Sequence, residues 1–137
     1  FYSIDNFREM LPLADVIVLC VPHTKNTEKM FGAVELATTR RDAFLINIAR
    51  GAVVDELALI KALQSGQLGG AALDVFSEEP LPANSPFWQM PNVIVSPHSA
   101  CTSDRENLRL TDLFCDNLER FLNNQPLRNV LDTELLF

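Results

Sequence analysis

The sequence predicts an α/β fold with a mainly parallel sheet flanked by helices. Short apolar runs of strand length recur along the chain, separated by stretches whose apolar residues repeat at helical spacing. Strands that alternate with helices form a mainly parallel sheet between helical layers. Polar clusters also stand directly after the apolar runs, at the carboxyl ends of strands, where sheets of this kind bind ligands.

Ser3 can cap a first helix in which Ile4, Phe7, Met10, Leu11 and Ala14 keep helical spacing, and Pro12 kinks or ends it. Asp15 leads into a continuous apolar run from Val16 to Val21, expected to be a strand covered on both faces, with Cys20 buried near its end. Pro22 stops that run, and a polar turn follows through Asn26. A short helical region is expected over Met30 to Leu36, then a charged turn at Arg40, Arg41 and Asp42. The second strand is expected from Ala43 to Ile48, with Arg50 and Gly51 just beyond its end. Asp55 can cap the next helix, and Glu56 suits that helix's positive end. Leu57, Ile60, Leu63 and Gln64 mark its spacing, and Gly66 fits its stop.

The third strand is expected from Gly69 to Val75, where small residues permit close packing against a neighbour. Ser77 to Pro91 is a long loop holding Pro80, Pro82, Pro86 and Pro91, a length that usually has a functional reason. Phe87 and Trp88 are expected to pin it to the body. Val93 to Val95 is the fourth strand, followed at once by Pro97 and His98. A last helix is expected from Thr102 or Ser103 to Asn123. Leu108, Thr111, Cys115, Leu118 and Leu122 form one stripe of it, widened by Leu110, Phe114 and Phe121. The tail from Pro126 to Phe137 is expected to be extended or frayed.

The 137 residues suit one small domain. At 47% hydrophobic and 21% charged, they hold enough apolar material for a packed core. The formal net charge of −7 repels phosphate backbones and anionic lipids, which argues against nucleic acid and membrane partners. A small anionic substrate stays possible, because one local Arg outweighs a diffuse negative surface. Cys20, Cys101 and Cys115 form no CxxC pair and read as reduced residues of a cytoplasmic protein. The apolar runs fall far short of the roughly 20 residues that span a bilayer, and no signal-peptide pattern opens the chain. Phe1 and Tyr2 lead straight into an apparent helix with no initiator Met, so we expect a piece of a longer chain.

Four polar clusters follow the strands: Pro22 to Thr27, Ala49-Arg50-Gly51, Asp74 with Glu79, and His98. The planar fork of Arg50 suits a carboxylate, although by position alone it is equally a surface residue in a turn. His98 could take or give a proton near neutral pH, or serve only in capping or packing. Glu79 could fix the tautomer of His98, or be a solvated loop charge like its neighbour Glu78. Asp74 ends a small, apolar strand and needs a partner, either a cofactor amide or a backbone cap. His23 is the only other histidine, so no metal site is expected. Gly66, Gly69 and Gly70 lie between a helix and the third strand, whereas a phosphate-binding loop opens a helix after the first strand of its unit. Pyrophosphate binding by these residues alone is therefore incomplete.

The stretches ADVIVLCVP (14–22), NIARG (47–51), ALDVFSEEP (72–80), PNVIVSPHSA (91–100) and NNQPLRNV (123–130) resemble, in order and spacing, the D-isomer-specific 2-hydroxyacid dehydrogenase family. The resemblance spans nearly the whole chain. It implies part of a doubly wound Rossmann-type domain. Residues 1–101 would be the latter part of the NAD(P)-binding domain, and 102–137 a C-terminal helix and tail returning toward a substrate domain. It further implies NAD or NADP as cofactor with the preference undetermined, a small 2-oxo or 2-hydroxy acid as substrate, and a homodimer. The first strands of the cofactor domain, its Gly-rich loop and its ribose-binding acidic residue have no counterpart here. An apolar strand edge would then be exposed until a partner copy, a swapped element or a second chain pairs with it.

By the same resemblance, Arg50 binds the substrate carboxylate and polarises its 2-oxo group, His98 is the acid/base, and Glu79 orients His98. Asp74 matches the ligand of the nicotinamide carboxamide. Val21, Pro22 and Thr27 match adenosine-side contacts, and Ile48 and Ala49 flank the nicotinamide side. Arg50 and His98 also border the cofactor, and Ala100 matches the small residue near the ring. Cys20 replaces a frequent His, Ile48 a small polar residue, and Cys101 a common Gly. The Pro-rich loop with Phe87 and Trp88 resembles the glyoxylate/hydroxypyruvate reductase-like branch. Two other readings fit the same motifs, a corepressor-like dinucleotide sensor without enzymatic activity and a truncated structural or dimerisation module. Arg50, Glu79 and His98 together favour an enzyme. The missing phosphate loop favours weak or no activity for these residues alone.

Overall fold

Four parallel strands lie side by side in the order of the sequence: β1 (Val16–Leu19), β2 (Ala43–Asn47), β3 (Leu68–Leu73) and β4 (Val93–Val95). The structure is a computed structural model describing residues 2–134, so Phe1 and the last three residues of the expected tail lie outside the described residues. Helix α1 (Ala33–Thr38) joins β1 to β2, and α2 (Glu56–Gln64) joins β2 to β3. Helix α3 (Glu106–Leu122) follows the sheet. The α/β class expected from the alternation of strands and helices is the observed one. The chain forms two units, Phe1–Ala100 and Cys101–Phe137.

In the first unit, Ile17 and Leu19 of β1, Leu45 of β2 and Leu73 of β3 share one core with Leu36 of α1 and Leu59 and Leu63 of α2. Val16, Val18, Phe44 and Ile94 point the other way and are exposed. The run from Val16 was expected to be covered on both faces. It alternates instead, because successive residues of a strand face opposite sides. The strand also ends at Leu19, two residues before Val21, and Cys20 is exposed rather than buried.

The first helical stretch is built of 3-10 turns over Ile4–Leu13, with the Ser3 hydroxyl accepting from Asp5 N at 3.4 Å. Helix α1 begins at Ala33, later than expected, because Phe31 is drawn into a bridge with Val54. Phe31 N donates to Val53 O and Asp55 N to Phe31 O. Gly32 N then donates to the Glu35 carboxylate at 3.0 Å, while Arg8 lies 2.6 Å from the same side chain. Asp55 caps α2 through Ala58 N, and Gly66 ends it at φ +71°. In the Pro-rich loop Phe87 is buried beside Phe76, as an anchor should be. Trp88 is half exposed and ties the loop to itself, its indole N–H donating to Pro82 O at 2.9 Å.

In the second unit α3 starts at Glu106 rather than Thr102 or Ser103, and Leu108, Phe114 and Phe121 of its apolar stripe are exposed. The tail, expected to be extended or frayed, has no helix or strand among its described residues, and its beginning is clasped. The Asn117 side chain donates to Arg128 O at 3.1 Å and accepts from Arg128 N at 2.8 Å. Asp116 pairs with both Arg120 and Arg128 at 3.1 Å. Apolar patterning carries no sign of such a side-chain clasp on the main chain.

Candidate active site

The loop after β2 is shaped from beneath by Asn47, only 2% exposed. Its side-chain oxygen accepts from Ala49 N at 3.1 Å and its amide donates to Arg50 O at 3.2 Å. Both ends of one buried amide thus hold the turn that presents Arg50. Arg50 itself is exposed, and its guanidinium donates to Ala49 O at 2.7 Å. Gly51 is packed so closely that a β-carbon there would lie 1.9 Å from Phe76 C and 2.3 Å from Ser77 N. The Arg50 loop therefore lies main chain against main chain on the loop that carries Glu79. Glu56 of α2 also holds this loop, accepting from Ser77 N at 2.6 Å.

Glu79 accepts from Phe76 N at 2.9 Å through one oxygen and meets His98 Nδ1 at 2.7 Å through the other. The His98 hydrogen bond and the Phe76 N–H, aided by the charges of His98 and Arg50, hold the Glu79 carboxyl below its usual range against a smaller opposing effect of burial. An ionised Glu79 keeps the proton of His98 on Nδ1 and leaves Nε2 free for exchange with a ligand. A cleft of about 670 Å³ opens at this pair, with Phe76, Leu81, Trp88 and Pro97 as apolar walls.

Asp74, at the end of β3, is 5% exposed. Its carboxylate accepts from the Ser96 hydroxyl and from Ser99 N and Ala100 N, the latter two at 2.9 Å. Burial would raise its pKa, but these donors and the charge of His98 outweigh burial and hold it low. The backbone cap foreseen as one partner for Asp74 is thus present. A carboxylate has about four acceptor positions, so capacity remains for one more donor.

The other expected contacts lie along the same edge. In the loop after β1, Thr27 donates to Pro22 O at 2.7 Å and accepts from Thr24 N at 2.8 Å, while Val21 is partly buried. After β2, Ile48 is exposed and Ala49 buried. After β4, Ala100 is exposed with its N–H on Asp74. Sequence reasoning overlooked Asn47 and Ser96. The available signal was a polar residue placed where an apolar run stops. Among the described residues no group of three or more His, Cys, Asp or Glu could hold a metal ion, and no helix is long and apolar enough to cross a membrane.

Glu35 shares the behaviour of Asp74 and Glu79. Burial would raise its pKa, yet main-chain hydrogen bonds and Arg8 hold it below the usual range. A carboxyl with a depressed folded pKa binds its proton more readily in the unfolded chain. The stability it contributes is complete above the ordinary carboxylate range and is lost as the pH falls through the folded value. Each such group adds at most about 1.4 kcal/mol per pH unit to the slope. Urea unfolding followed by circular dichroism across that window should give Glu35→Gln a shallower slope than the parent. Equal slopes would remove Glu35 from this account.

Residues 1–100 match the family model described as D-isomer specific 2-hydroxyacid dehydrogenase, NAD binding domain. The chain belongs to this family. It is 39% identical over 126 residues to the glyoxylate/hydroxypyruvate reductase B of Citrobacter koseri, covering 92% of this chain and 39% of that protein. It is 37% identical over 129 residues to the glyoxylate reductase of Korarchaeum cryptofilum, covering 94% and 39%. The chain thus spans about two fifths of the length of the curated relatives it matches. Among solved structures, the D-isomer specific 2-hydroxyacid dehydrogenase of Xanthobacter autotrophicus Py2 in complex with NADPH and MES superposes with a TM-score of 0.89 at 39% identity, over 96% of this chain and 54% of that one. The NADPH-dependent glyoxylate/hydroxypyruvate reductase of Sinorhizobium meliloti in complex with NADP and sulfate gives 0.90 at 35% identity, over 99% and 44%. The sheet edge bearing Arg50, Glu79 and His98 is therefore that of a family nucleotide domain.

Proposed function

We propose that this chain supplies the acid/base pair and part of the cofactor cradle of an NAD(P)-dependent oxidoreductase. The reaction moves a hydride between the nicotinamide and a small 2-oxo or 2-hydroxy acid of the glyoxylate or hydroxypyruvate kind. The observation that carries the proposal is the 2.7 Å contact of Glu79 with His98 at the carboxyl edge of a parallel sheet, beside the loop of Arg50. The names and bound nucleotides of the relatives support the same substrate and cofactor classes.

The residues present fit the nicotinamide end of such a cofactor. Asp74 keeps acceptor capacity for the carboxamide, exposed Ile48 offers an apolar surface next to Ala49, and Ala100, held on Asp74 through its N–H, adds only a methyl group there. Val21, Pro22 and Thr27 lie at the end of β1 as the adenosine-side wall. The bound cofactor would supply the hydride chemistry. The protein's part is alignment and charge. Arg50 pairs with the substrate carboxylate and draws electron density from the 2-oxo group. His98 gives its Nε2 proton to the 2-oxo oxygen during reduction and takes it back during oxidation. Glu79 holds the Nδ1 proton and stabilises the imidazolium.

In this reading residues 1–101 are the latter part of the nucleotide domain, and 102–137 return toward a substrate domain. The whole assembly is a homodimer in the cytoplasm, a compartment compatible with the free thiols of Cys20, Cys101 and Cys115. A dinucleotide sensor on this fold can keep the same motifs, and the enzymatic reading ranks first because Glu79 and His98 stand paired beside the Arg50 loop.

The 137 residues alone should turn over weakly or not at all, since no Gly-rich phosphate loop lies among them. Joined to the remainder of a relative's length, they should oxidise NADH or NADPH with glyoxylate or hydroxypyruvate. A panel of 2-oxo acids that shows no turnover despite proven cofactor binding would sink the proposal. Normal steady-state turnover by the 137 residues alone would overturn the division of labour.

A further inference from the structure

We propose that Ser96 is a positioning residue for His98, acting through the carboxylate of Asp74. The inference rests on the reading of His98 as the acid/base. His98 has φ +52°, a left-handed conformation that a residue with a β-carbon keeps only when its surroundings impose it. Asp74 imposes it from both sides. Its main-chain oxygen accepts from His98 N at 2.8 Å, and its carboxylate accepts from Ser99 N and Ala100 N beyond the histidine. On the near side the same carboxylate accepts from the Ser96 hydroxyl, the side-chain donor of the set. Ser96 is in turn anchored to the sheet, its N–H donating to Leu73 O at 2.9 Å.

Ser96 and Asp74 thus form a cross-brace from β3 to the turn that aims the imidazole at Glu79. Without the hydroxyl, a nearly buried carboxylate oxygen loses a charge-assisted donor. The carboxylate then turns toward solvent and loosens its hold on Ser99 and Ala100. The bond between Nδ1 and Glu79 loses its fixed geometry, while Asn47 and the Arg50 loop are untouched.

The test compares Ser96→Ala and Ser96→Thr with the parent by nitrogen-15 NMR of the histidine side chains, with His23→Gln identifying the His98 signal. The parent should show a downfield Nδ1–H proton for His98 that is protected from solvent exchange. Ser96→Thr keeps the hydroxyl and should retain the signal. In Ser96→Ala the proton should exchange at least about tenfold faster, with the core methyl signals of Leu45, Leu59 and Leu73 still dispersed. An unchanged signal in Ser96→Ala would overturn the proposal, as would loss of the core dispersion together with the signal. So would failure of Ser96→Thr to restore it, or absence of a protected proton in the parent. None of these readouts needs turnover, so failure of the brace and failure of the oxidoreductase reading appear in different measurements.

Discussion

If the proposed oxidoreductase reading holds, replacing His98 with alanine is expected to slow hydride transfer by about 10²–10⁴-fold, the usual scale for a positioned proton donor. That corresponds to roughly 3–5.5 kcal/mol of lost transition-state stabilisation. The reason is geometric. His98 Nδ1 is committed to Glu79 at 2.7 Å, and Glu79 is itself held by Phe76 N at 2.9 Å, so the imidazole is anchored on one side and free on the other. Reduction of a 2-oxo acid leaves an alkoxide unless a proton arrives with the hydride, and in the proposed reaction Nε2 of His98 delivers it. Arg50, the proposed partner of the substrate carboxylate, stays in place in the variant, so substrate binding should change far less than the chemical step. Single-turnover measurements of nicotinamide absorbance separate the two. A single-turnover rate equal to that of the parent would remove His98 from the chemistry.

Gly51→Ala is expected to destabilise the chain by about 3 kcal/mol or more, at or beyond the upper end of the usual range for overpacking. The added methyl would sit 1.9 Å from Phe76 C, 2.1 Å from Phe76 O and 2.3 Å from Ser77 N. These are main-chain atoms of the loop after β3, and no side-chain rotation can clear them. Relief requires the Arg50 loop to lift away from the loop of Glu79. That movement also strains the turn in which Asn47 accepts from Ala49 N and donates to Arg50 O. Loss of stability and loss of substrate binding should therefore appear together. Urea unfolding followed by circular dichroism gives the first, and a midpoint within about 0.5 kcal/mol of the parent, the range of an ordinary surface change, would show that the two loops can separate freely.

Much of this architecture is legible in the order of residues. The runs at Val16, Ala43, Gly69 and Val93 are strands, the alternation with helices makes the sheet parallel, and Asp55 and Gly66 bound a helix as their chemistry requires. Such features are local, since strand periodicity, caps and turns depend on a few neighbouring residues. Sequence similarity also carries the family, because ordered motifs survive in one dimension.

Only the tertiary structure decided which face of β1 is buried, why α1 waits until Ala33, and how the tail is clasped at Arg128. It decided too that the Asp74 carboxylate gathers the Ser96 hydroxyl and the N–H groups of Ser99 and Ala100, and that Asn47 ties the Arg50 turn. Most of these join groups far apart in sequence, Phe31 to Val53 and Asp55, Asn117 to Arg128 and Asp74 to Ser96, Ser99 and Ala100, whereas the Asn47 turn is local but takes its shape only in the folded loop. Burial makes such partners obligatory, because an unsatisfied polar group inside a protein is costly. Their identity depends on which strand ends the folded sheet brings side by side, a distance that no single stretch of sequence contains.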